Sequence, residues 1–269
     1  MEDAQKPIGI FDSGIGGLTV AHAISKLMPQ EQVVYFGDTA HLPYGDKSPQ
    51  LIHSFVQDIS QFLIQTEQCK SVVIACNTAS ATSYEFLRDK HKGLFPIINV
   101  IDPIVEAIVE DSSIKKVGLI ATKTTVESGV YQEKLKRRNP NLEIEVLATP
   151  LLAPMIEEGF SQDKISHSVI ENYLSHPKFK DIDALILGCT HYVLIADEIS
   201  QFFEGKVKLF DSTDILALKL RDILEKEGIL SQNRESKNKF YVSDLTKGFS
   251  ESASRFYGEN LRLELKKLL

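Results

Sequence analysis

Two segments of the chain share one outline. Ser71-Val72-Val73-Ile74-Ala75-Cys76-Asn77-Thr78 and Ala184-Leu185-Ile186-Leu187-Gly188-Cys189-Thr190-His191 each pass from an apolar run through a small residue to a cysteine. Polar hydrogen-bonding side chains follow in both. A short apolar run bounded in this way reads as a strand of a buried parallel sheet. Each cysteine then stands where the carboxyl end of a strand opens into a loop, the usual position of sites in open α/β sheets.

The rest of the chain alternates in the same manner. Strands are expected at Ile8 to Phe11, Val33 to Phe36, Ile97 to Ile101, Val117 to Ile120, Glu143 to Leu147, Val207 to Phe210 and Phe240 to Val242. Helical patterns fall between them. One follows Gly17, with Leu18, Ala21, Ile24 and Leu27 on one face. Another opens at Ser48-Pro49, a cap followed by a proline in the first turn. Further helices are expected from about Ser80 to Lys90, from a cap at Asp102-Pro103, near Val126 to Arg138, near Lys164 to Leu174, and from Val193 to Phe203. The last ones run from Asp211-Ser212-Thr213 through Leu224 and, after a polar loop at Ser231 to Asn238 and the final strand, on to Leu269. This alternation predicts an α/β fold with mainly parallel sheets flanked by helices.

The two series align with each other. Ile8-Gly9-Ile10 and Val117-Gly118-Leu119 stand 109 positions apart, and Cys76 and Cys189 stand 113 apart. The spacing suggests two copies of one α/β unit. The region after about Phe210 has no counterpart in the first copy and is expected to pack back onto it. The resulting expectation is a discontinuous N-terminal domain of residues 1–98 plus 211–269, and a second domain of residues 99–210.

Composition excludes several classes. With 30 Lys and Arg against 37 Asp and Glu, the net charge of −7 argues against a broad nucleic-acid surface. Three cysteines without Cys-x-x-Cys spacing suggest neither a disulfide framework nor a zinc site, and fit reduced thiols in a cytosol. Residues Met1 to Pro7 lack the apolar core of a signal peptide, and the longest apolar stretch, around Leu185 to Ala196, is too short and too polar to span a bilayer. No membrane partner is expected.

Asp12-Ser13-Gly14-Ile15-Gly16-Gly17 joins a strand to a helix, where glycines let a backbone approach a ligand and a helix N-terminus favours an anion. It is neither a Walker P-loop nor a full dinucleotide fingerprint, and it reads equally well as a tight turn. Cys76 and Cys189 read either as small buried hydrophobes or as thiols activated at helix N-termini. Cys69 has no such setting. Asn77-Thr78 and Thr190-His191 are able to donate to a carboxylate or simply cap helices, and His191 can exchange protons near neutral pH. Pro43-Tyr44-Gly45 reads as a loop. Pro154-Met155-Ile156-Glu157-Glu158-Gly159 takes the same place in the second copy, where a carboxylate faces the thiols or lies on a solvated helix turn. By residues alone, an anion-binding α/β protein and a hydrolase with a single nucleophilic cysteine stay open.

Taken in order, Phe11 to Gly17, Pro43-Tyr44-Gly45, Ala75-Cys76-Asn77-Thr78-Ala79 and Leu187-Gly188-Cys189-Thr190-His191-Tyr192 resemble the bacterial glutamate racemases of the Asp/Glu racemase family. The resemblance implies two similar α/β domains around a central active-site cleft and racemisation of L-glutamate to D-glutamate without cofactor or metal. It implies Cys76 and Cys189 as the acid–base pair, Asp12 assisting Cys76, and His191 with Glu157 (adjacent Glu158 being the alternative) assisting Cys189. Asp12, Ser13, Tyr44, Gly45, Asn77, Thr78, Thr190 and His191 would contact glutamate. The family's role is supply of D-glutamate for peptidoglycan in a bacterial cytoplasm, and its members are often homodimers. An aspartate racemase with the same two-thiol chemistry is the alternative within the superfamily.

Overall fold

The computed structural model describes residues 3–160, 164–233, 237–258 and 261–268. In chain order the elements are β1 (Ile8–Asp12), α1 (Leu18–Leu27), β2 (Val33–Gly37), α2 (Pro49–Gln61), β3 (Ser71–Ile74), α3 (Asn77–Lys90), β4 (Ile97–Asn99) and α4 (Ile101–Glu110). There follow β5 (Lys116–Ala121), α5 (Lys123–Ser128), α6 (Val130–Arg138), β6 (Glu143–Ala148), α7 (Leu152–Glu157), α8 (Lys164–Leu174), β7 (Ala184–Gly188), α9 (Ala196–Phe202) and β8 (Lys208–Phe210). The chain continues through α10 (Thr213–Lys226), β9 (Lys239–Val242), α11 (Lys247–Tyr257) and β10 (Glu264–Leu265).

The strands form two sheets, ordered β10-β9-β2-β1-β3-β4 and β6-β5-β7-β8. All their ladders are parallel. In each sheet the strand that comes first in the chain (β1 or β5) lies between the second and third, so the two share one local order. Strand order reverses beside β1 and β5, and the crevice at their carboxyl ends is where such sheets hold ligands. After β8 the chain returns to the larger sheet, where β9 pairs with β2, Tyr35 standing opposite Phe240.

Burial follows position in the sheets. Every residue of β1, β2, β3 and β7 is buried, whereas β6, at an edge, is mostly half-buried. One continuous apolar core runs from Ile10 and Tyr35 through α1, α4 and α10 to Leu119 and Ile186, so the halves share an interior. A second cluster, including Phe11, Phe36, Val56 and Ile74, fills the other face of the larger sheet.

Several boundaries differ from the sequence reading, each for a local reason. Helix α3 starts at Asn77, one turn early, because Cys76 itself caps it. Helix α4 is capped by Asn99, whose Oδ1 accepts from the N–H groups of Ile101 and Asp102, so Asp102-Pro103 lies inside the first turn. The helix expected over 126–138 is divided at Gly129, whose φ of +67° ends one helix and begins the next. Residues Thr190–Ile195 wind as a 3₁₀ helix before α9. The helical pattern expected after β9 forms α11 but stops at Gly258 with φ of +82°, and strand β10 follows in place of its continuation. Residues 234–236 of the expected polar loop lie outside the described residues, as do 259–260 and Leu269.

One buried ion pair ties the amino-terminal ends of the strands together. Lys70 Nζ lies 2.6 Å from Glu31 Oε2, with both side chains almost wholly inaccessible. Lys70 also donates to the carbonyls of Ala4 and Ile229, and Glu31 Oε1 accepts from the N–H of Ser231. Removing one partner of such a pair strands the other charge. Lys70→Ala should therefore cost about 3–5 kcal/mol in urea unfolding, whereas the double change Lys70→Met/Glu31→Leu should recover most of it.

Candidate active site

The carboxyl ends of β1 and β3 face the loops that follow β5 and β7 across a narrow cleft. Asp12, Ser13, Tyr44, Gly45, Asn77, Thr78, Glu157, Thr190 and His191 all line it, with Cys76 and Cys189 among them. Both cysteines are buried, at 5% and 8% exposure, yet both reach the same cavity. The cavity is about 50 Å³, room for a few water molecules. Admitting an amino acid requires its walls to part.

Close approach of the walls depends on two glycines. A Cβ on Gly16 would lie 2.5 Å from both His191 Cε1 and Thr190 Oγ1. One on Gly45 would lie 2.8 Å from Thr122 Cβ. Hydroxyl and amide groups then join the halves. Thr78 Oγ1 lies 2.9 Å from Thr122 Oγ1, Thr124 Oγ1 donates to the Gly45 carbonyl at 2.7 Å, and the Tyr131 hydroxyl donates to Asn77 Oδ1 at 2.7 Å.

The two thiols have different supports. Cys76 caps α3, its Sγ accepting from the Ala79 N–H at 3.4 Å, and its S–H points to Ser13 Oγ at 3.5 Å. The sequence reading expects a helix N-terminus to lower this thiol's pKa. Burial instead pushes it up to about 12, with the nearby Asp12 carboxylate adding to the rise, while Ser13 and Ala79 oppose it. Cys189 precedes a 3₁₀ turn, and its side chain makes no capping hydrogen bond there. Its partner is His191, whose Nδ1 lies 3.5 Å from Cys189 Sγ and whose Nε2 lies 2.7 Å from Glu157 Oε1. Burial acts to lower the His191 pKa, but the charge and hydrogen bond of Cys189, joined by those of Glu157, carry it well above the ordinary imidazole range. Glu158 is exposed on the next position.

Asp12 closes the Cys76 side. Its Oδ2 accepts from the N–H groups of Gly17 (3.0 Å) and Gly14 (3.3 Å). Burial raises its pKa, against the opposing pull of His191 and of those two N–H groups. Its Oδ1 is buried without a partner, and so is Asn77 Nδ2. A buried, unpaired polar atom costs about 1–3 kcal/mol, so a ligand that pairs with both is favoured. The Tyr44 ring lines the cleft, but its hydroxyl turns away to Asp38 Oδ2 at 2.6 Å.

Other cleft residues were not singled out from sequence. Thr122 stands 109 positions after Ser13, the same interval that separates Ile8 from Val117, so the internal comparison carried its signal. Helix α11 backs the His191–Glu157 pair. The Phe256 ring meets His191 edge-on at 5.2 Å, and Ser252 Oγ and Arg255 Nη2 donate to the Glu157 carbonyl. Buried Cys69 packs against Gly9 near the amino-terminal end of β3, outside the cleft. Among the described residues no group of three or more His, Cys, Asp and Glu side chains is placed to hold a metal ion, and no helix is long and apolar enough to cross a membrane.

Two parallel α/β halves, each sending a thiol into one shared cleft, define a two-lobed α/β enzyme. The sequence pattern of the Asp/Glu/Hydantoin racemases matches residues 18–220, and the chain belongs to that family. It is 40% identical to a glutamate racemase of Geobacter metallireducens over 95% of this chain and 94% of that protein. It superposes with a TM-score of 0.92 on the crystal structure of Francisella tularensis glutamate racemase in complex with D-glutamate, at 36% identity and 98% coverage of both chains. The Escherichia coli glutamate racemase, crystallised with L-glutamate and the activator UDP-MurNAc-ala, is similar at a TM-score of 0.80 and 29% identity, covering 98% of this chain and 99% of that one.

Gly16→Ala should displace the Thr190–His191 turn and reduce turnover by about 100-fold, the scale of an ångström-sized misplacement. Steady-state kinetics, with circular dichroism to verify folding, would measure it. Because the Glu157 carboxylate favours the imidazolium, Glu157→Gln should shift the His191 titration to lower pH. Imidazole ¹⁵N NMR reads that titration, and an unmoved midpoint would remove Glu157 from the pair.

Proposed function

We propose that this protein interconverts L- and D-glutamate through proton transfers between the substrate α-carbon and two cysteines, with no cofactor taking part. The observation that supports this most directly is the pair of thiols lining one cavity, each with its own acid–base neighbours. The unpaired Asp12 Oδ1 and Asn77 Nδ2 match the ammonium and carboxylate of an amino acid. Ser13, Thr78 and Thr190 add hydroxyls, and Tyr44 and Gly45 form the adjoining wall. The likeness to proteins named glutamate racemase favours glutamate as the substrate.

For L-glutamate, the Cys189 thiolate removes the α-proton from one face. The imidazolium of His191, supported by Glu157, is its counter-ion before transfer. The Cys76 thiol then returns a proton to the opposite face and becomes the thiolate, stabilised by Ser13 Oγ and the Ala79 N–H, with Asp12 assisting on that side. Cys189 is left as the thiol. The reverse reaction exchanges the two roles. Inversion requires this two-sided arrangement, because a single fixed base returns a proton to the face it came from. A proton held to a thiol of pKa about 12 suits Cys76 as the initial acid.

General acid–base catalysis contributes about 10²–10⁴-fold. Positioned dipoles and exclusion of water supply much of the remaining barrier reduction. Closing the parted walls over glutamate would achieve both, with residues 1–98 and 211–269 moving as one domain and residues 99–210 as the other. The product would serve peptidoglycan synthesis in a bacterial cytoplasm, in a monomer or a homodimer.

Incubation of the purified protein with L-glutamate in deuterated water should yield D-glutamate labelled at the α-carbon. Cys76→Ala and Cys189→Ala should each lose at least about 10²-fold in racemisation, measured by polarimetry. Full activity in either variant would refute the two-thiol assignment, and faster turnover of aspartate would refute the substrate.

A further inference from the structure

The amide of Asn77 is held at one end only. Its Oδ1 accepts from the Tyr131 hydroxyl at 2.7 Å, while its Nδ2 is buried without a partner on a residue that lines the cleft. Tyr131 is itself fully buried on α6, in the half built on the smaller sheet, whereas Asn77 opens α3 in the other half. The bond therefore crosses between the halves beside Cys76.

We propose that Tyr131 is a positioning residue: its hydroxyl fixes the Asn77 amide with the nitrogen toward the cleft, so that a donor faces the substrate carboxylate. This rests on the reading of the cleft as an amino-acid site.

The chemistry of the two groups sets the direction. An asparagine amide has two nearly equal orientations about its terminal torsion, and a flip exchanges a donor for an acceptor. A carbonyl turned into the cleft would repel a carboxylate. A phenol is a good donor and a weak acceptor, because its oxygen lone pair is delocalised into the ring. Asn77 Oδ1 is the one side-chain acceptor of the Tyr131 hydroxyl among the described residues. Reversing the amide would bury that hydroxyl hydrogen with nothing to receive it, a cost that holds the productive orientation. Burial also pushes the Tyr131 pKa above its ordinary range, which keeps the phenol protonated as a donor.

Tyr131→Phe removes the hydroxyl and leaves the ring. It should raise KM for both glutamate enantiomers by about tenfold, the equivalent of one neutral hydrogen bond, with a much smaller change in kcat and little change in Tm. Asn77→Ala should raise KM as well, and Tyr131→Phe added to it should change KM no further, since the hydroxyl acts through the amide. Asn77→Asp keeps an acceptor for Tyr131 but presents an oxygen to the substrate, and should also raise KM. An unchanged KM in Tyr131→Phe or in Asn77→Asp, or additive effects in the double variant, would overturn the proposal while the parent still racemises glutamate. A parent that does not turn over glutamate would overturn the reading of the cleft, and this proposal with it.

Discussion

A single carbon can be reached from both faces only if two sheets present their carboxyl ends to each other at close quarters. Here that approach depends on an absent side chain. The turn after β1 presses against Thr190 and His191 with no room for a Cβ on Gly16, and Gly45 meets Thr122 in the same way. The shared apolar core through α1, α4 and α10 holds the halves together from behind. The hydroxyl and amide bonds of Thr78, Thr124 and Tyr131 align them at the cleft. Wider spacing would leave each cysteine an ordinary buried thiol.

Within that frame the two sides are alike in topology and unlike in electrostatics. Cys76 is held by a helix cap and pushed up by burial and by Asp12. Cys189 sits against an imidazole that is itself tied to a carboxylate. A repeated strand–loop unit places two equivalent sulfur atoms, and the loops around them then give them different neighbours. In the proposed reaction the two sulfurs exchange the roles of donor and acceptor with the direction of turnover, and the substrate's carbanion-like state passes between one wall and the other.

The strands were legible because buried parallel strands are short apolar runs with small and polar residues at their ends, as at Ser71–Ile74 and Ala184–Gly188. Their matching local order agrees with the repeated pattern, and the pairing of β9 with β2 is the return expected of the segment that has no counterpart in the first copy. Features set by one local hydrogen bond or one dihedral were harder to read. Asn99 takes the cap expected of Asp102, Gly129 divides a helix that periodicity joins, and the turn after Cys189 winds as 3₁₀. At the site, the motifs bring Cys76, Cys189, Asp12 and His191 to one cleft. Sequence could not separate Glu157 from Glu158, because only the rotation of α7 turns one inward. Nor could it find Tyr131, whose link to Asn77 spans 54 positions. The effect of burial on Cys76 outweighs the helix-end effect, and burial depth is not written in a motif.

The backing of His191 by α11 has a consequence for how the molecule comes into being. Phe256 packs on the imidazole and Ser252 and Arg255 grip the Glu157 backbone, yet these residues follow both thiols by more than sixty positions. A chain still emerging from the ribosome can assemble both cysteine-bearing strands while the imidazole–carboxylate pair has no wall behind it. Assembly of the smaller sheet's own acid–base group thus waits for a helix that belongs to the other half.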